Sequence, residues 1–495
     1  MGGDSIDYAI HVSNHSYGPK QGWQLEGGDW WWYGRTNYPY EDLQFGFYGQ
    51  RAEQTDETVY TTKYLLPVFA AGNDANDGGA PPVGSGLEPH YHYSDQAAGR
   101  TFTDYHYPDG VTSGGYDLIN TYATAKNVLT VGAINGLTNG WTSAADVTLA
   151  AVSSFGGTDD GRIKPDLVAD GYQVFSSAKF NNTETNRYNT STGTSSAAAA
   201  ISGGIGLLQQ RVREYYGDEK RFLASTYKAL LILTANEAGP APGPDYKFGW
   251  GVADIDRAAS LLARDLTNYH DGYGAPSARL HPNIIEGVLT NGTTNVVYIN
   301  YSGSDPLRVV LVWNDRGYYP TNQPVLNDPT SRLINDLDVR VTTSGGGPVA
   351  LPYVLNPSSR GAAAATGDNT LDNVEMIVTN LTSGSYEIHV QHKGTLRTGN
   401  YLPSVTNQEY SLLIEGQEVY LRPELLDVAR VSSNHMAMTW SAKVGKSYKL
   451  QYATNMPPNL WTDAISSVTA TNTTMSVTNV PYSSGENRFY RVVLD

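Results

Sequence analysis

Short apolar runs separated by glycine-rich and polar turns fill the first half of the chain. Residues 65–71 and 127–134 are almost continuous apolar runs of strand length, a pattern typical of parallel strands that are buried on both faces. Residues 8–13 alternate between apolar and polar positions, which predicts a third strand. Residues 42–64 have the period of an amphipathic helix, interrupted at two glycines. These patterns predict strands alternating with helices, as in an α/β domain.

An unusually apolar helix is predicted near the middle of the chain. Residues 197–208 are small or apolar, and a helix that is apolar on all sides belongs inside a sizeable domain. A polar turn ending in Gly193-Thr194-Ser195 precedes it. The positive end of the helix dipole favours an anion beside it, which suits a nucleophilic serine. The residues alone equally allow Ser195 or Ser196 to be an ordinary helix cap.

The second half of the chain has a different pattern. Short alternating runs recur at even spacing over residues 283–415 and again over residues 424–495. This pattern predicts a β-sandwich or jelly roll, followed by a small β domain. Glycine and proline positions predict linkers at residues 268–277 and 417–423. The predicted domains are residues 1–265, 278–417 and 424–495.

The composition argues against several classes of binding partner and structural feature. The 495 residues carry a formal net charge of −16, which argues against nucleic acid because phosphate binding requires basic surface. No run approaches the ~18 apolar residues of a membrane span. Cysteine is absent, so neither a disulfide framework nor a cysteine-ligated zinc site is possible. The first residues lack the basic and apolar regions of a signal peptide.

Several motifs, in order along the chain, resemble those of the subtilases, the subtilisin-like serine proteases. Gly193-Thr194-Ser195 resembles the head of their nucleophile motif, although its tail, with Ser196, Ala199 and Ala200, is degenerate. Ala71-Gly72-Asn73 resembles their oxyanion turn. The other matching segments are residues 16–18, 123–134, 152–171 and 244–262. The resemblance covers about residues 8–263 and is closest to large bacterial subtilases with a β-sandwich behind the protease domain.

The resemblance implies a role for each matching residue. Ser195 would be the nucleophile, and the Asn73 side-chain amide would donate to the oxyanion of the tetrahedral intermediate, a contact typically worth about 3 kcal/mol. Residues 16–18, directly after the predicted strand over residues 8–13, would pair with the substrate backbone as an added β-strand does. The residues implied in substrate binding are Ser16, Tyr17, Gly18, Gly72, Ser153, Ser154, Phe155, Gly156, Gly193 and Thr194. From the residues alone, both glycine turns can also be ordinary turns.

The other two members of a subtilase triad have no matching motif. Neither an aspartate in D-[ST]-G nor a histidine in H-G-T-x-V-A-G occurs, and all ten histidines lie outside such a motif. Loss of the triad base typically costs ~10⁴-fold or more in rate. We therefore expect a fragment of a secreted serine endopeptidase whose aspartate, histidine and signal peptide lie upstream, and expect the first 265 residues to fold poorly alone. The alternative is an inactive secreted protein that binds peptides or surfaces.

Two sets of residues are candidate metal ligands. Asp336, Asp338, Asp372 and Glu375 could share a calcium ion, which requires several oxygen ligands; the alternative is that these carboxylates are solvated or cap turns. His90, His92 and His106, with Asp95 and Asp104, form a weaker set in which no third ligand is fixed. No organic cofactor is expected.

Together these inferences give the fold class. We expect an incomplete doubly wound parallel sheet of the subtilisin type, then an all-β sandwich or jelly roll, then a small fibronectin-like β domain. Trp440 and Trp461 in the last domain are expected in its core, and residues 30–33 in a packed surface hairpin. The expected partners are protein or peptide substrates.

Overall fold

A computed structural model describes most of the chain. The described residues are 10–26, 29–34, 42–75, 90–93, 100–102, 115–178, 187–270, 283–301, 305–319, 325–343, 346–399, 404–416, 423, 425–442, 444–455, 461–472, 474–482 and 487–494. Asp95, Asp104, His106 and most of both predicted linkers therefore lie outside the described residues.

The first part of the chain contains ten strands and four helices among its described residues. The strands are β1 (Val12–His15), β2 (Trp23–Glu26), β3 (Asp29–Trp32), β4 (Leu66–Ala70), β5 (His90–Tyr93), β6 (Arg100–Phe102), β7 (Leu129–Ile134), β8 (Leu167–Asp170), β9 (Val174–Ser177) and β10 (Tyr188–Ser191). The helices are α1 (Gln50–Thr61), α2 (Thr194–Tyr216), α3 (Ala224–Thr234) and α4 (Ile255–His270).

A parallel sheet forms the centre of this part. Its order is β1-β4-β7-β8, with every pair parallel. All residues of β4 and β7 are buried, which confirms the prediction made from their continuous apolar runs. Within the described residues, β1 is an edge strand whose one ladder partner is β4. The predicted α/β class is confirmed.

Helix α2 is less buried than its sequence suggests. It packs on the parallel sheet through one face, whereas Ala199, Ala200 and Gly203 are exposed and Leu207 is 62% exposed. The prediction of a helix buried on all sides is therefore wrong. Small residues on the exposed face resemble a buried pattern in the sequence, but only tertiary packing decides which face is covered.

Two other helix boundaries differ from the predictions. The helix predicted over residues 42–64 begins only at Gln50, because Gly46 adopts a φ of +69° and a Cβ there would lie 2.5 Å from Asp117 and Asp159 oxygens. At the first predicted linker, α4 continues to His270.

A second, four-stranded sheet of order β2-β3-β5-β6 combines the segment between β1 and α1 with the segment between β4 and β7. Its strands β2 and β3 form a hairpin in which Trp23 and Trp32 are fully buried, with ring centroids 5.3 Å apart. This confirms the packed hairpin predicted for residues 30–33. We call β2 and β3 together the tryptophan hairpin.

Ten strands form the second part of the chain, among its described residues. They are β11 (Ile284–Thr290), β12 (Asn295–Tyr301), β13 (Leu307–Val312), β14 (Leu337–Thr343), β15 (Pro348–Ala350), β16 (Tyr353–Val354), β17 (Ala365–Thr366), β18 (Val374–Thr379), β19 (Gly384–His392) and β20 (Asn407–Glu415). Two antiparallel four-stranded sheets, β11-β20-β13-β18 and β12-β19-β14-β15, supply the sandwich core. The predicted antiparallel architecture is confirmed.

The sandwich and the parallel-sheet part share one hydrophobic core. Helix α3 is buried along its whole length and packs against β13 and β20. Val310, Met376 and Leu413 from the sandwich join the same cluster as the strands of the parallel sheet. The predicted domain boundaries stay predictions, but the first two parts pack together as one unit.

The last part consists of six strands among its described residues. They are β21 (Leu425–Arg430), β22 (His435–Ser441), β23 (Ser447–Ala453), β24 (Thr462–Thr469), β25 (Thr474–Pro481) and β26 (Phe489–Leu494). They form the antiparallel sheets β21-β22-β25 and β24-β23-β26. Trp440 is 1% exposed in the core, as predicted, whereas Trp461 is only half-buried, with its ring beside the Arg491 guanidinium.

Candidate active site

The residues that the sequence singled out meet at the carboxyl edge of the parallel sheet. Ser16 follows β1, Gly72 follows β4 and Gly171 follows β8. The turn before α2 is bonded to two of these strand ends: Gly193 N donates to Gly171 O at 2.8 Å, and Gly72 N donates to Thr194 Oγ1 at 3.3 Å. Parallel strands place their carboxyl ends at one edge, which is where open α/β sheets bind ligands.

Ser195 lies in the first turn of α2 and contacts the end of β1. Ser16 Oγ donates to Ser195 O at 2.9 Å, and Ser195 Oγ donates to Ser16 O at 3.4 Å. The N-cap of α2 is Gly193, without a side-chain capping bond. Ser196 instead donates to Ser191 Oγ at 3.1 Å. Neither serine is therefore the helix cap, so the structure removes the alternative that the sequence left open.

Thr194 fixes the Asn73 side chain beside this turn. Asn73 Oδ1 accepts the Thr194 backbone N–H at 2.9 Å and lies 3.0 Å from Thr194 Oγ1. Since Oδ1 is held in this way, Nδ2 remains the donating end of the amide. Gly193 has a φ of +150°, and a Cβ there would lie 3.1 Å from Asn73 Nδ2. Glycine at 193 therefore leaves room for the amide.

The resemblance implies that residues 153–156 form a wall of the S1 pocket, and this pocket wall divides into two pairs of residues. Ser154 is fully buried and its N–H donates to Gly72 O at 3.0 Å, which joins it to the oxyanion turn. Ser153, also buried, accepts the Ala133 N–H at 2.9 Å and so faces β7.

Phe155 and Gly156 form the second pair and pack beside Tyr116. The Phe155 ring meets the Tyr116 ring edge-on at 5.3 Å. Gly156 has a φ of +123°, and a Cβ there would lie 2.1 Å from the Tyr116 backbone. A side chain at position 156 would therefore push this segment away from Tyr116.

The end of β1 presents an exposed tyrosine and a glycine. Tyr17 is 61% exposed. Gly18 lies so close to Asn120 that a Cβ would be 2.2 Å from the Asn120 amide nitrogen. A side chain at position 18 would therefore require the Asn120 side chain to move, whereas glycine lets the two residues approach closely.

The two histidines on or beside β1 are not placed to act on Ser195. Both ring nitrogens of His15 are engaged, with Tyr17 Oη at 2.7 Å and Ser13 Oγ at 2.9 Å, and the ring stacks on Phe69 at 4.3 Å. Burial lowers the pKa of His15. His11 precedes β1, at the opposite end of the strand from Ser16, and burial lowers its pKa as well.

The sequence analysis missed Asp74, which is 9% exposed directly after Asn73. Its Oδ1 accepts from Gln24 Nε2 at 2.9 Å, and its Oδ2 accepts from Ser154 Oγ at 3.2 Å. Burial raises the pKa of Asp74 to about 6. A carboxylate directly after the Gly-Asn turn was the available signal, but Gln24 is distant in the sequence.

The predicted calcium ligands do not all come together. Asp372 accepts the Ile163 N–H at 2.8 Å, at the contact with the first part of the chain. Asp336 and Asp338 instead each lie 3.0 Å from the Lys393 ammonium. Within the described residues, no group of three or more acidic or histidine side chains has the geometry of a metal site. Calcium binding by the four-residue set stays a prediction.

Among the described residues, no helix is long and apolar enough to cross a bilayer. The side chains of His90 and His92 lie outside what the structure describes.

Known proteins are similar in sequence to part of this chain. The serine protease/ABC transporter B family protein tagA of Dictyostelium discoideum is 25% identical over 286 residues, which are 53% of this chain and 15% of that protein. The C5a peptidase of Streptococcus pyogenes is 38% identical over 137 residues, 26% of this chain and 11% of that protein. The matches thus span less than a sixth of either relative's length.

Solved structures give weak matches. The PatG macrocyclase in complex with peptide has 19% identity and a TM-score of 0.27, covering 42% of this chain and 46% of that one. The patellamide maturation protease PatA has 18% identity and a TM-score of 0.29, covering 44% and 59%. The subtilase family model matches residues 2–251. Because this match covers half of the chain and includes Ser195, Asn73 and every predicted substrate-binding residue, the protein belongs to the subtilase family.

Proposed function

We propose that the complete protein is a serine endopeptidase in which Ser195 attacks the peptide carbonyl. The Ser195 oxygen forms an ester with the substrate acyl group, the amine product leaves with a proton, and water then hydrolyses the ester. The backbone of residues 16–18 aligns the substrate. The observation that carries this proposal is the pair of contacts from Thr194 to Asn73 Oδ1, which leaves Nδ2 free to donate to the oxyanion.

The proton of Ser195 needs a base, and we propose that an aspartate–histidine pair from outside the described residues supplies it. Ser195 Oγ donates to a backbone carbonyl, and His15, the described histidine on the same strand end, is engaged elsewhere. Two surfaces near Ser195 support further polypeptide there: the edge of β1 and the exposed face of α2 that contains Ala199 and Leu207. An unpaired edge and exposed apolar side chains are typical of surfaces that another segment covers.

A non-catalytic role in peptide binding is the second candidate. The observation that favours it is the 3.4 Å contact from Ser195 Oγ to Ser16 O, which gives the hydroxyl an acceptor other than an imidazole. Such a protein would bind extended peptides along residues 16–18 without cleaving them. We propose that the protein is secreted whichever of the two functions it has.

Labelling with a fluorophosphonate separates the two functions. The product of the complete reading frame is incubated with the probe, beside its Ser195→Ala and Ser196→Ala variants, and casein hydrolysis is followed in parallel. A protease is labelled and active, loses both properties in S195A and keeps both in S196A. A protein that binds peptides but shows neither labelling nor hydrolysis would support the second candidate.

A further inference from the structure

The side chain of Asp74 joins three segments of the candidate site. Its carboxylate accepts from Gln24 on the tryptophan hairpin at 2.9 Å and from Ser154 in the pocket wall at 3.2 Å. Its backbone N–H donates to the same Ser154 hydroxyl at 3.0 Å. Because Asp74 is 9% exposed, these bonds are shielded from water. Asp74, which directly follows Asn73, is thus held by Gln24 on one side and by Ser154 on the other.

The Gln24 end of this contact is itself firmly held. Gln24 Nε2 also donates to Gln21 O at 3.0 Å. The base of the hairpin is tied down by Gly22 N, which donates to Asp42 Oδ2 at 2.9 Å, and by Thr121 N, which donates to Gln21 Oε1 at 3.2 Å. With its tryptophans buried, the hairpin presents Gln24 as a fixed donor rather than a mobile side chain.

Asn73 depends on this arrangement for its direction. It is an exposed residue, and its side chain is held on one side through Thr194. Its backbone lies between Gly72, which has a φ of +120°, and Asp74. A small rotation of this turn would move Oδ1 away from the Thr194 N–H and change the direction in which Nδ2 donates. Displacements of about 1 Å in such a donor can cost 10²-fold in rate.

We propose that Asp74, held by Gln24 and Ser154, is a positioning residue that directs Asn73 towards the oxyanion, and that the tryptophan hairpin is thereby part of the catalytic site. The inference rests on the proposed endopeptidase function. It adds to it a dependence on Gln24, a residue of the segment between β1 and α1, outside the motifs that carry the resemblance.

Steady-state kinetics of the complete gene product test the proposal. An oxyanion donor acts in the transition state, so loss of its position lowers kcat and leaves KM nearly unchanged. We expect Asp74→Ala to lower kcat at least tenfold with KM within twofold, and Gln24→Ala to act in the same direction. Asp74→Asn keeps an oxygen for Gln24 and should restore most of kcat.

A matched control separates positioning from loss of stability. Asp265 on α4 is 5% exposed and accepts from Tyr216 Oη at 2.6 Å and from Ile284 N at 3.0 Å. Asp265→Ala should therefore destabilise the protein as much as Asp74→Ala without lowering kcat. If Asp74→Ala left kcat unchanged, or if both variants lowered it equally, the proposal would be overturned.

Hydrogen exchange tests the same contact without any turnover. In Gln24→Ala, the Asp74 amide should exchange at least tenfold faster than in the wild type, whereas Asp265→Ala should leave it unchanged. An unchanged Asp74 amide in Gln24→Ala would refute the contact's role. If the complete protein hydrolyses no peptide, the endopeptidase proposal fails, and the exchange result still decides whether Gln24 holds the turn.

Discussion

The Lys126 ammonium, from the parallel-sheet part, lies 2.5 Å from the Asp315 carboxylate of the sandwich, and both side chains are fully buried. Lys126 also donates to the backbone carbonyls of Arg316 and Arg332. Asp315 in turn accepts the N–H groups of Ile334 and Asn335. The contact joins the two parts of the chain through an ion pair whose hydrogen bonds are satisfied on both sides.

Lys126→Met should destabilise the protein by about 3–5 kcal/mol, because it leaves a buried carboxylate without its cation. Urea denaturation measures the change in the free energy of unfolding. The control is Arg211→Ala, which removes an exposed ion pair with Glu214 and should change the free energy of unfolding far less. Equal losses in the two variants would contradict the assigned role of Lys126.

Residues 1–265 expressed alone should aggregate. Without the sandwich, the buried helix α3 would expose the face that packs on β13 and β20, and Lys126 would lose its partner. Size-exclusion chromatography and limited proteolysis check this, with the full 495-residue chain as the control. A monomeric, protease-resistant product would show that the shared core is dispensable.

Asn73→Ala in the complete gene product should lower kcat by about 10²–10³-fold and leave KM nearly unchanged. Thr194→Val should have a smaller effect, because the backbone N–H of residue 194 still holds Asn73 Oδ1. Peptide hydrolysis at saturating substrate measures both changes. A loss expressed in KM would indicate that Asn73 binds substrate rather than the transition state.

The Asp74 carboxyl should make stability depend on pH. Burial raises its pKa from 3.8 to about 6, with Asp42 as the charged neighbour that raises it further. The folded protein therefore holds the proton more tightly than the unfolded chain. This tighter proton binding stabilises the folded protein at low pH. The free energy of unfolding therefore falls by up to ~3 kcal/mol as the pH rises from about 4 to about 6.

Asp74→Asn should remove this part of the pH dependence. Burial also raises the pKa values of Asp336 and Asp372 to about 6. The pH dependence of the wild-type stability therefore sums the contributions of all three carboxyls. The difference between wild type and Asp74→Asn, measured by urea denaturation from pH 4 to pH 8, isolates the contribution of Asp74. Parallel curves would show that this carboxyl does not titrate in that window.

Lys393→Met should lower Tm at pH 7.5 by about 2–4 °C, since Asp336, Asp338 and Asp368 each lie 3.0 Å from its ammonium. The loss should shrink at pH 5, where Asp336 binds a proton. Calcium binding by Asp336, Asp338, Asp372 and Glu375 stays a prediction and requires Lys393 to move away from Asp336 and Asp338. Calcium that raises Tm more in the variant than in wild type would support it.

Much of the fold could be predicted from local patterns. The continuous apolar runs gave β4 and β7, and even alternation gave the antiparallel sheets, because burial on two faces and on one face leave different periodicities. The same reasoning failed for α2. Alanine and glycine count as apolar wherever they point, so the exposed Ala199 and Gly203 looked identical to buried residues.

The sequence by itself determined which residues form the candidate site, and its resemblance to the subtilases predicted their chemistry. Ser195, Asn73 and Thr194 were recognisable because a nucleophile and its oxyanion donor require fixed residue types in short backbone turns. The tertiary structure decided the partners of those residues. Gln24 contacts Asp74, Lys126 contacts Asp315 and Asp372 accepts the Ile163 N–H because of how distant segments pack. Such contacts follow from the burial and satisfaction of polar groups in three dimensions, which no local pattern of residues encodes.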